Sequence, residues 1–254
     1  MKIGWGVIGA GGIARRRTIP EGIVPAKNAR LVAVMDVAET LAKEVGAQFG
    51  VPACCCVDEL LASKGVEAVY IASPANAHKE AFLKAIKAGK HVLVEKPLAH
   101  TLKDAQAMVA AAAKAKKLKC AEGYMMKFHP LHQKAKELVA GGKIGKPVFV
   151  RGQLSCWYPP IKGAWRQDPV QGGGGSLIDM ATHIYDLMQY VLGSDIVEVS
   201  AMCDTLAHGY KVEDSATTLL KFANGCHGVV DTFFSVPDAV CERMIEIMGT
   251  AGAI

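Results

Sequence analysis

Several features are scarce in this chain, and each scarcity removes a class of function. No apolar stretch of the 254 residues is long enough to cross a bilayer, although 51% of them are hydrophobic. The opening residues form an amphipathic strand rather than a leader. Arg15, Arg16 and Arg17 follow the apolar stretch, whereas a signal peptide carries its positive charge ahead of it. Paired cysteine spacing is also missing. Of eight cysteines, Cys54, Cys55 and Cys56 are consecutive, so in a strand their side chains alternate between faces; Cys120, Cys156, Cys203, Cys226 and Cys241 stand singly. That pattern argues against a zinc site, so no metal is expected, and it reads as buried, reduced thiols in a reducing compartment. The net charge is +5, but the basic clusters, Arg15 to Arg17 and Lys114 to Lys119, lack interleaved aromatics. They read as solvated helix faces, and no nucleic-acid partner is expected. Internal repeats and low-complexity linkers are absent too. A soluble cytoplasmic protein with no membrane partner is expected, large enough for two domains with substantial cores.

What is present is a regular alternation. Ile3 to Ile8 is an apolar run ending in glycines, followed by a helix from Ile13 to about Ile19 that Pro20 helps end. Strand signals follow at Leu31 to Met35, Ala53 to Val57, Ala68 to Ala72, His91 to Val94 and Leu118 to Glu122. Helical signals lie between them at Glu39 to Gln48, Asp58 to Ser63, Ala77 to Ala88 (closed by Gly89) and Leu102 to Lys116. Strands alternating with helices imply an α/β fold with a doubly wound parallel sheet. After about residue 123 the pattern changes, which divides the chain into 1–123 and 124–254. A helix at Leu131 to Ala140 precedes an alternating run, Val148 to Trp157, in which Val148, Val150, Gly152, Leu154 and Cys156 share a face. The glycines Gly172 to Gly175 lead into a helix from Leu177 to Leu192. Strand candidates then come in succession at Ile196 to Asp204, Ala216 to Phe222, Cys226 to Phe234 and Arg243 to Met248, with short turns such as Asn224-Gly225. This half reads as an α+β domain with a mostly antiparallel open sheet. The last strand signal is cut short: after a turn at Gly249 to Gly252, Ala253-Ile254 begins a returning strand where the sequence stops. Either a partner covers that edge or the sequence is part of a longer protein.

Gly9-Ala10-Gly11-Gly12-Ile13-Ala14 follows the first strand and opens the first helix. Gly9 permits a tight turn, Gly11 lets the backbone approach a pyrophosphate, and Ala14 keeps the helix close to the sheet. The N–H groups at the helix start, including those of Gly12 and Ile13, favour phosphate. Asp36 ends the second strand, where a carboxylate accepts from both ribose hydroxyls and repels a 2′-phosphate, favouring NAD over NADP. Asp36 also fits a plain helix N-cap, because Glu39 stands three residues on. Arginines at 15 to 17 keep NADP open. Ser73, Pro74 and Asn76 follow the fourth strand and suit contact with the nicotinamide end or a simple turn. His78 reads as structural or cofactor-side. Glu95-Lys96-Pro97 follows the fifth strand, and a lysine at the carboxyl end of a parallel strand faces the ligand crevice; a surface lysine in a turn is the alternative.

Asp179 and His183 are four apart on the helix after the glycines, so they share one face. An imidazole suits general-base work on a hydroxyl, with a carboxylate one turn away to orient it or the substrate. Two structural alternatives stand beside this: Ser176 and Asp179 have capping-box spacing, and a single histidine is often a satisfied core residue. Trp165 and Arg166 precede the glycines and offer a stacking face and hydroxyl contacts, or equally a buried tryptophan beside an ion-paired arginine. Tyr124, Phe128 and His129, after the sixth strand, are weaker candidates for the pocket wall.

Taken together, the opening glycine motif, Ser73-Pro74 with Asn76 and His78, the stretch from Ala88 to Pro97, and Gly173-Gly174-Gly175 leading to Asp179 and His183 resemble the Gfo/Idh/MocA oxidoreductase family. The resemblance covers essentially the whole chain. It implies an N-terminal Rossmann domain, a C-terminal domain whose open sheet mediates homo-oligomers, and pyranose or cyclitol-like substrates. It further implies that Lys96 contacts substrate and nicotinamide, Asp179 binds or orients substrate, His183 exchanges the proton, and Pro97 follows a cis peptide. Family members continue past the segment matching Gly249 to Gly252, so the second domain is expected to be incomplete. The expected function is an NAD(P)-dependent oxidoreductase moving hydride between nicotinamide and a hydroxyl or carbonyl carbon of a sugar, inositol or related polyol. An NADP-preferring sugar reductase, a non-catalytic dinucleotide-binding regulator and an inactive remnant are the alternatives.

Overall fold

The computed structural model describes residues 1–241 and 243–254, with Arg243 by its backbone. Met1–Gly123 and Tyr124–Ile254 form two compact units. The first is built on a six-stranded sheet in the order β3-β2-β1-β4-β5-β6. Its strands are β1 (Ile3–Ile8), β2 (Ala29–Met35), β3 (Ala53–Cys54), β4 (Ala68–Ile71), β5 (His91–Val94) and β6 (Cys120–Glu122). Every pairing is parallel. A parallel strand covered on both faces must be apolar throughout, and all of β4 is buried. The helices α1 (Glu39–Phe49), α2 (Val57–Ala62), α3 (His78–Lys87) and α4 (Leu102–Lys114) link the strands. The chain winds outward from β1 to β3 and then returns to place β4 on the other side of β1. Loops leaving the carboxyl ends of β1 and β4 therefore diverge, which opens a crevice at that switch point.

Two expectations for this unit are corrected. Pro20 does not help end the first helix: a π-helix runs through it from Ala14 to Ile23, and Val24 N–H bonds back five residues to Ile19 O at 3.0 Å. The wider register moves the carbonyl that a proline ring would strike in an α-helix, while Ile19 and Ile23 stay buried in the core. The strand foreseen from Ala53 to Val57 keeps only Ala53–Cys54, because Val57 already begins α2. Asp58 and Glu59 suit the positive end of that helix, and Glu59 Oε2 accepts from Cys55 N–H at 3.1 Å. Cys55 and Cys56 consequently lie exposed in the connection. Cys54 and Cys226 are buried thiols, whereas Cys203 is exposed on an edge strand, so general burial of the cysteines does not hold.

In the second unit a 3₁₀ turn at Met126–Phe128 precedes α5 (Pro130–Ala140), and the sheet is ordered β12-β11-β7-β10-β9-β8. Its strands are β7 (Pro147–Leu154), β8 (Ile196–Asp204), β9 (Ser215–Phe222), β10 (His227–Phe233), β11 (Arg243–Gly249) and β12 (Gly252–Ala253). The sheet is mostly antiparallel, but β7 and β10 run parallel, since a long excursion separates them. Strand β7 ends at Leu154, so Cys156 lies beyond it, and Val148 is 46% exposed while Val150 and Gly152 are buried. A short helical turn, α6 (Pro169–Gly172), precedes a π turn at Leu177–Ala181 that continues into α7 (Thr182–Leu192). Helix α7 lies on β7 so closely that a β-carbon at Gly152 would stand 2.4 Å from Ile184 Cγ2.

The segment joining β8 to β9 is held by a buried carboxylate. Asp214 accepts from Leu206, Ala207 and His208 N–H groups at 2.8 to 2.9 Å. Burial alone would raise its pKa, but those three donors together hold it below the ordinary carboxylate value. A lowered folded-state value makes the stabilisation complete above the unfolded carboxylate range and lost as pH falls through the folded value. Asp214→Asn is expected to cost about 2–3 kcal/mol at neutral pH. Denaturant titrations at neutral and acid pH check this: the gap from wild type should shrink in acid, and a constant gap would rule out the charge.

Candidate functional site

The rim of the first unit is built one residue beyond each strand. Gly9 N–H bonds to Met35 O at 2.9 Å, Ala72 N–H to Ile8 O at 2.8 Å and Glu95 N–H to Ile71 O at 2.8 Å. The sheet ladder therefore fixes the roots of all the candidate loops. Gly9 has φ +84°, and a β-carbon there would lie 2.6 Å from Ser73 N. This glycine is needed so that two βα loops can pass. Gly12 has φ +46° and faces open space, and Ile13 is 37% exposed beside it. At Gly11 a β-carbon would stand 3.0 Å from Leu41 Cδ2 and 4.0 Å from Asp36 Oδ2.

Asp36 is not the helix N-cap. Ala38 holds that place without a side-chain bond, and Asp36 Oδ1 accepts Ala38 N–H at 3.0 Å, leaving Oδ2 toward Gly11. The three arginines are engaged locally: Arg15 with Gln48 and Glu44, Arg16 with Gly12 O, and Arg17 with Glu21. Pro74 precedes a 3₁₀ turn, Ala75–Ala77, that leaves Asn76 exposed. Ser73 Oγ is buried with no hydrogen-bond partner among the described residues. An open glycine turn, a carboxylate beside it and an orphaned hydroxyl at the same rim fit a dinucleotide.

Lys96 and Pro97 are joined by a cis peptide. Lys96 N–H donates to Glu95 Oε2 at 3.3 Å, and Glu95 Oε1 accepts from the Tyr70 hydroxyl. His78 is 1% exposed and lies against backbone carbonyls through both ring nitrogens. Burial draws it below the ordinary imidazole value, opposed by those carbonyls.

In the second unit, Ser176 stands at the N-cap position of the π turn without a side-chain capping bond. Ser176 Oγ donates to Thr232 O at 3.3 Å, and the helix start is met instead by Glu213, whose Oε1 accepts Leu177 N–H at 3.0 Å. Glu213 comes close because Gly175 has no side chain; a β-carbon there would stand 1.8 Å from Glu213 O. Asp179 Oδ1 accepts from Arg166 Nε at 2.9 Å, with the two side chains 16% and 34% exposed. The Arg166 guanidinium lies 4.3 Å from the Trp165 ring centroid, so the arginine is both ion-paired and stacked. Tyr158 joins this cluster: burial pushes its phenol up, while Arg166 draws it down. His183 is 5% exposed, and its ring meets Tyr124 edge-on with centroids 5.6 Å apart. The π turn spans Asp179 and ends before His183; such turns often occur at functional sites. His129 acts as the N-cap of α5, accepting Leu131 N–H, and Phe128 is 70% exposed. Sequence reasoning missed Tyr158, Glu213 and Tyr70; none stands in a distinctive motif.

The parallel sheet and glycine turn define a Rossmann-type dinucleotide fold. Residues 3–124 match the family described as "Oxidoreductase family, NAD-binding Rossmann fold", and residues 132–254 match the "GFO/IDH/MocA C-terminal domain". The chain belongs to the Gfo/Idh/MocA family of oxidoreductases. It is 32% identical to 1,5-anhydro-D-fructose reductase of Ensifer adhaerens over 98% of its own length and 74% of that protein's. It is likewise 32% identical to myo-inositol 2-dehydrogenase of Thermotoga maritima, over 97% and 74% of the two chains. Among solved structures, GenD2 from gentamicin A biosynthesis in complex with NAD superposes with a TM-score of 0.90 at 29% identity, covering 99% of this chain and 71% of that one. Among the described residues, no helix is long and apolar enough to cross a membrane, and no cluster of His, Cys, Asp and Glu could hold a metal.

Proposed function

We propose that this protein is an NAD-dependent dehydrogenase acting on a hydroxyl-bearing carbon of a sugar, inositol or related polyol. The observation that carries the reading is the fixing of Asp179 by Arg166 on the helix that also bears the buried His183. A capping role would have explained Asp179 without chemistry, and Glu213 has taken that role.

Gly9, Gly11, Gly12 and Ile13 would hold the pyrophosphate through backbone N–H groups and the helix dipole. Asp36 would accept from the adenosine ribose, and its Oδ2 charge would repel a 2′-phosphate. Ser73, Pro74, Asn76 and Glu95 would line the nicotinamide end. Bound there, the cofactor supplies a two-electron hydride acceptor. Lys96 lowers the pKa of the substrate hydroxyl through its positive charge, an effect that grows as water is excluded. His183 accepts the hydroxyl proton on a ring nitrogen, and its edge contact with Tyr124 sets the plane of the imidazole. Asp179 and Arg166 take hydrogen bonds from and give them to the neighbouring substrate hydroxyls, and Trp165 adds an aromatic wall. Reduction of a carbonyl runs the same proton transfer backwards. In β8, Val197, Val199 and Met202 are more than half exposed, as is Leu219 of β9, which supports self-association through this sheet.

The test is reduction of NAD and NADP in parallel over a panel of aldoses, inositols and sugar acids. Turnover with a polyol and a lower KM for NAD is the expected result. Tight cofactor binding with no turnover on any of them would favour a non-catalytic dinucleotide-binding regulator, and a lower KM for NADP would overturn the role of Asp36.

A further inference from the structure

We propose that Tyr70 and His78 are positioning residues that hold the segment from Glu95 to Leu98, and with it the Lys96 backbone, from two sides. The inference rests on the reading of Lys96 as a catalytic residue. Tyr70 is 1% exposed on β4. Its hydroxyl accepts from Thr18 Oγ1 at 3.0 Å and donates to Glu95 Oε1, while Glu95 Oε2 accepts Lys96 N–H at 3.3 Å. A continuous chain of hydrogen bonds thus runs from the π-helix after the glycine turn to the lysine backbone. Burial first, and then the Glu95 carboxylate, push the Tyr70 phenol well above its ordinary value, so it stays protonated and remains a donor. Core packing alone does not require that hydroxyl. Phenylalanine would fill the same space without burying an oxygen, whose desolvation must be offset by bonds.

His78 works from the other side. Nδ1 lies 3.0 Å from Pro97 O and 3.3 Å from Leu98 O, and Nε2 lies 2.8 Å from Ser73 O. Carbonyl oxygens only accept, so the neutral ring donates to one of these loops and packs against the other, while the doubly protonated ring donates to both. In either form it is wedged between the loop after β4 and the loop after β5. Loops of this kind are otherwise the mobile parts of a sheet rim. Fixing them is worth a good deal to chemistry, since a displacement of about 1 Å at a reacting group costs on the order of 100-fold in rate.

The experiment compares wild type, Tyr70→Phe, His78→Gln and Lys96→Met as full chains. Amide hydrogen exchange of residues 94–99, NAD affinity by calorimetry, and kcat and KM for the best polyol would be measured. In both brace variants, exchange across this segment should rise roughly tenfold or more. NAD affinity should stay within about threefold, and kcat should fall roughly 10- to 100-fold with KM little changed. Wild-type exchange and kcat in Tyr70→Phe, with Lys96→Met inactive, would overturn the braces and leave the lysine standing. Raised exchange in the brace variants, with Lys96→Met fully active, would support the braces as holding the segment and overturn the role of Lys96.

Discussion

Lys96→Met is expected to lower kcat for polyol oxidation roughly 100- to 1,000-fold, the scale seen when a preorganised charge is removed from a reacting oxygen. Methionine keeps most of the aliphatic stem and removes the ammonium, so packing changes little. The lysine backbone is anchored through Glu95, and that anchor survives the substitution because it uses the main-chain N–H. The glycine turn, Asp36 and Ser73 are untouched, so NAD affinity should remain near wild type. A charge that acts only as the hydroxyl loses its proton stabilises the transition state more than the ground state. The loss should therefore fall mainly on kcat, with KM changing severalfold at most. Full turnover in this variant would remove Lys96 from the mechanism.

His183→Gln is expected to reduce kcat roughly 100- to 10,000-fold, the range for a positioned general base. Glutamine preserves hydrogen-bonding capacity without a group that titrates near neutrality. In wild type, oxidation should weaken in acid, because a protonated ring cannot accept the substrate proton. That limb should vanish in the variant. The measurement is kcat/KM against pH for both proteins. A purely structural histidine, buried against Tyr124, would behave differently: the variant would lose stability while its residual pH profile kept the wild-type shape.

Much of the first unit was legible because its sheet is parallel. Strands buried on both faces appear as continuous apolar runs, and Ala68 to Ile71 could be little else. The glycine turn was equally legible, since Gly9 must let Ser73 pass. Hydrogen-bond register was not. Pro20 looks like a helix end unless the helix is known to run i to i−5, and composition carries no mark of that choice. The parallel pairing of β7 with β10 was hidden for another reason: it depends on which distant strand fills the space, not on either strand's own pattern.

At the site, local spacing offered each carboxylate two roles. Asp36 and Asp179 both fitted caps. Only the fold shows that Ala38 occupies one cap position and that Glu213, 36 residues from Leu177, meets the other helix start. Tyr70 escaped notice because a tyrosine within an apolar strand reads as core. Its hydroxyl matters only once Glu95 and Thr18 are brought to it.

The most direct test of hydride transfer is isotopic. The full chain would be incubated with NAD and a panel of inositols and aldoses deuterated at the carbinol carbon, and the cofactor examined by mass spectrometry and NMR. The account predicts deuterium at nicotinamide C4 from at least one of these substrates, with transfer strongly diminished in Lys96→Met and His183→Gln. Bound but unlabelled cofactor across the whole panel would contradict it.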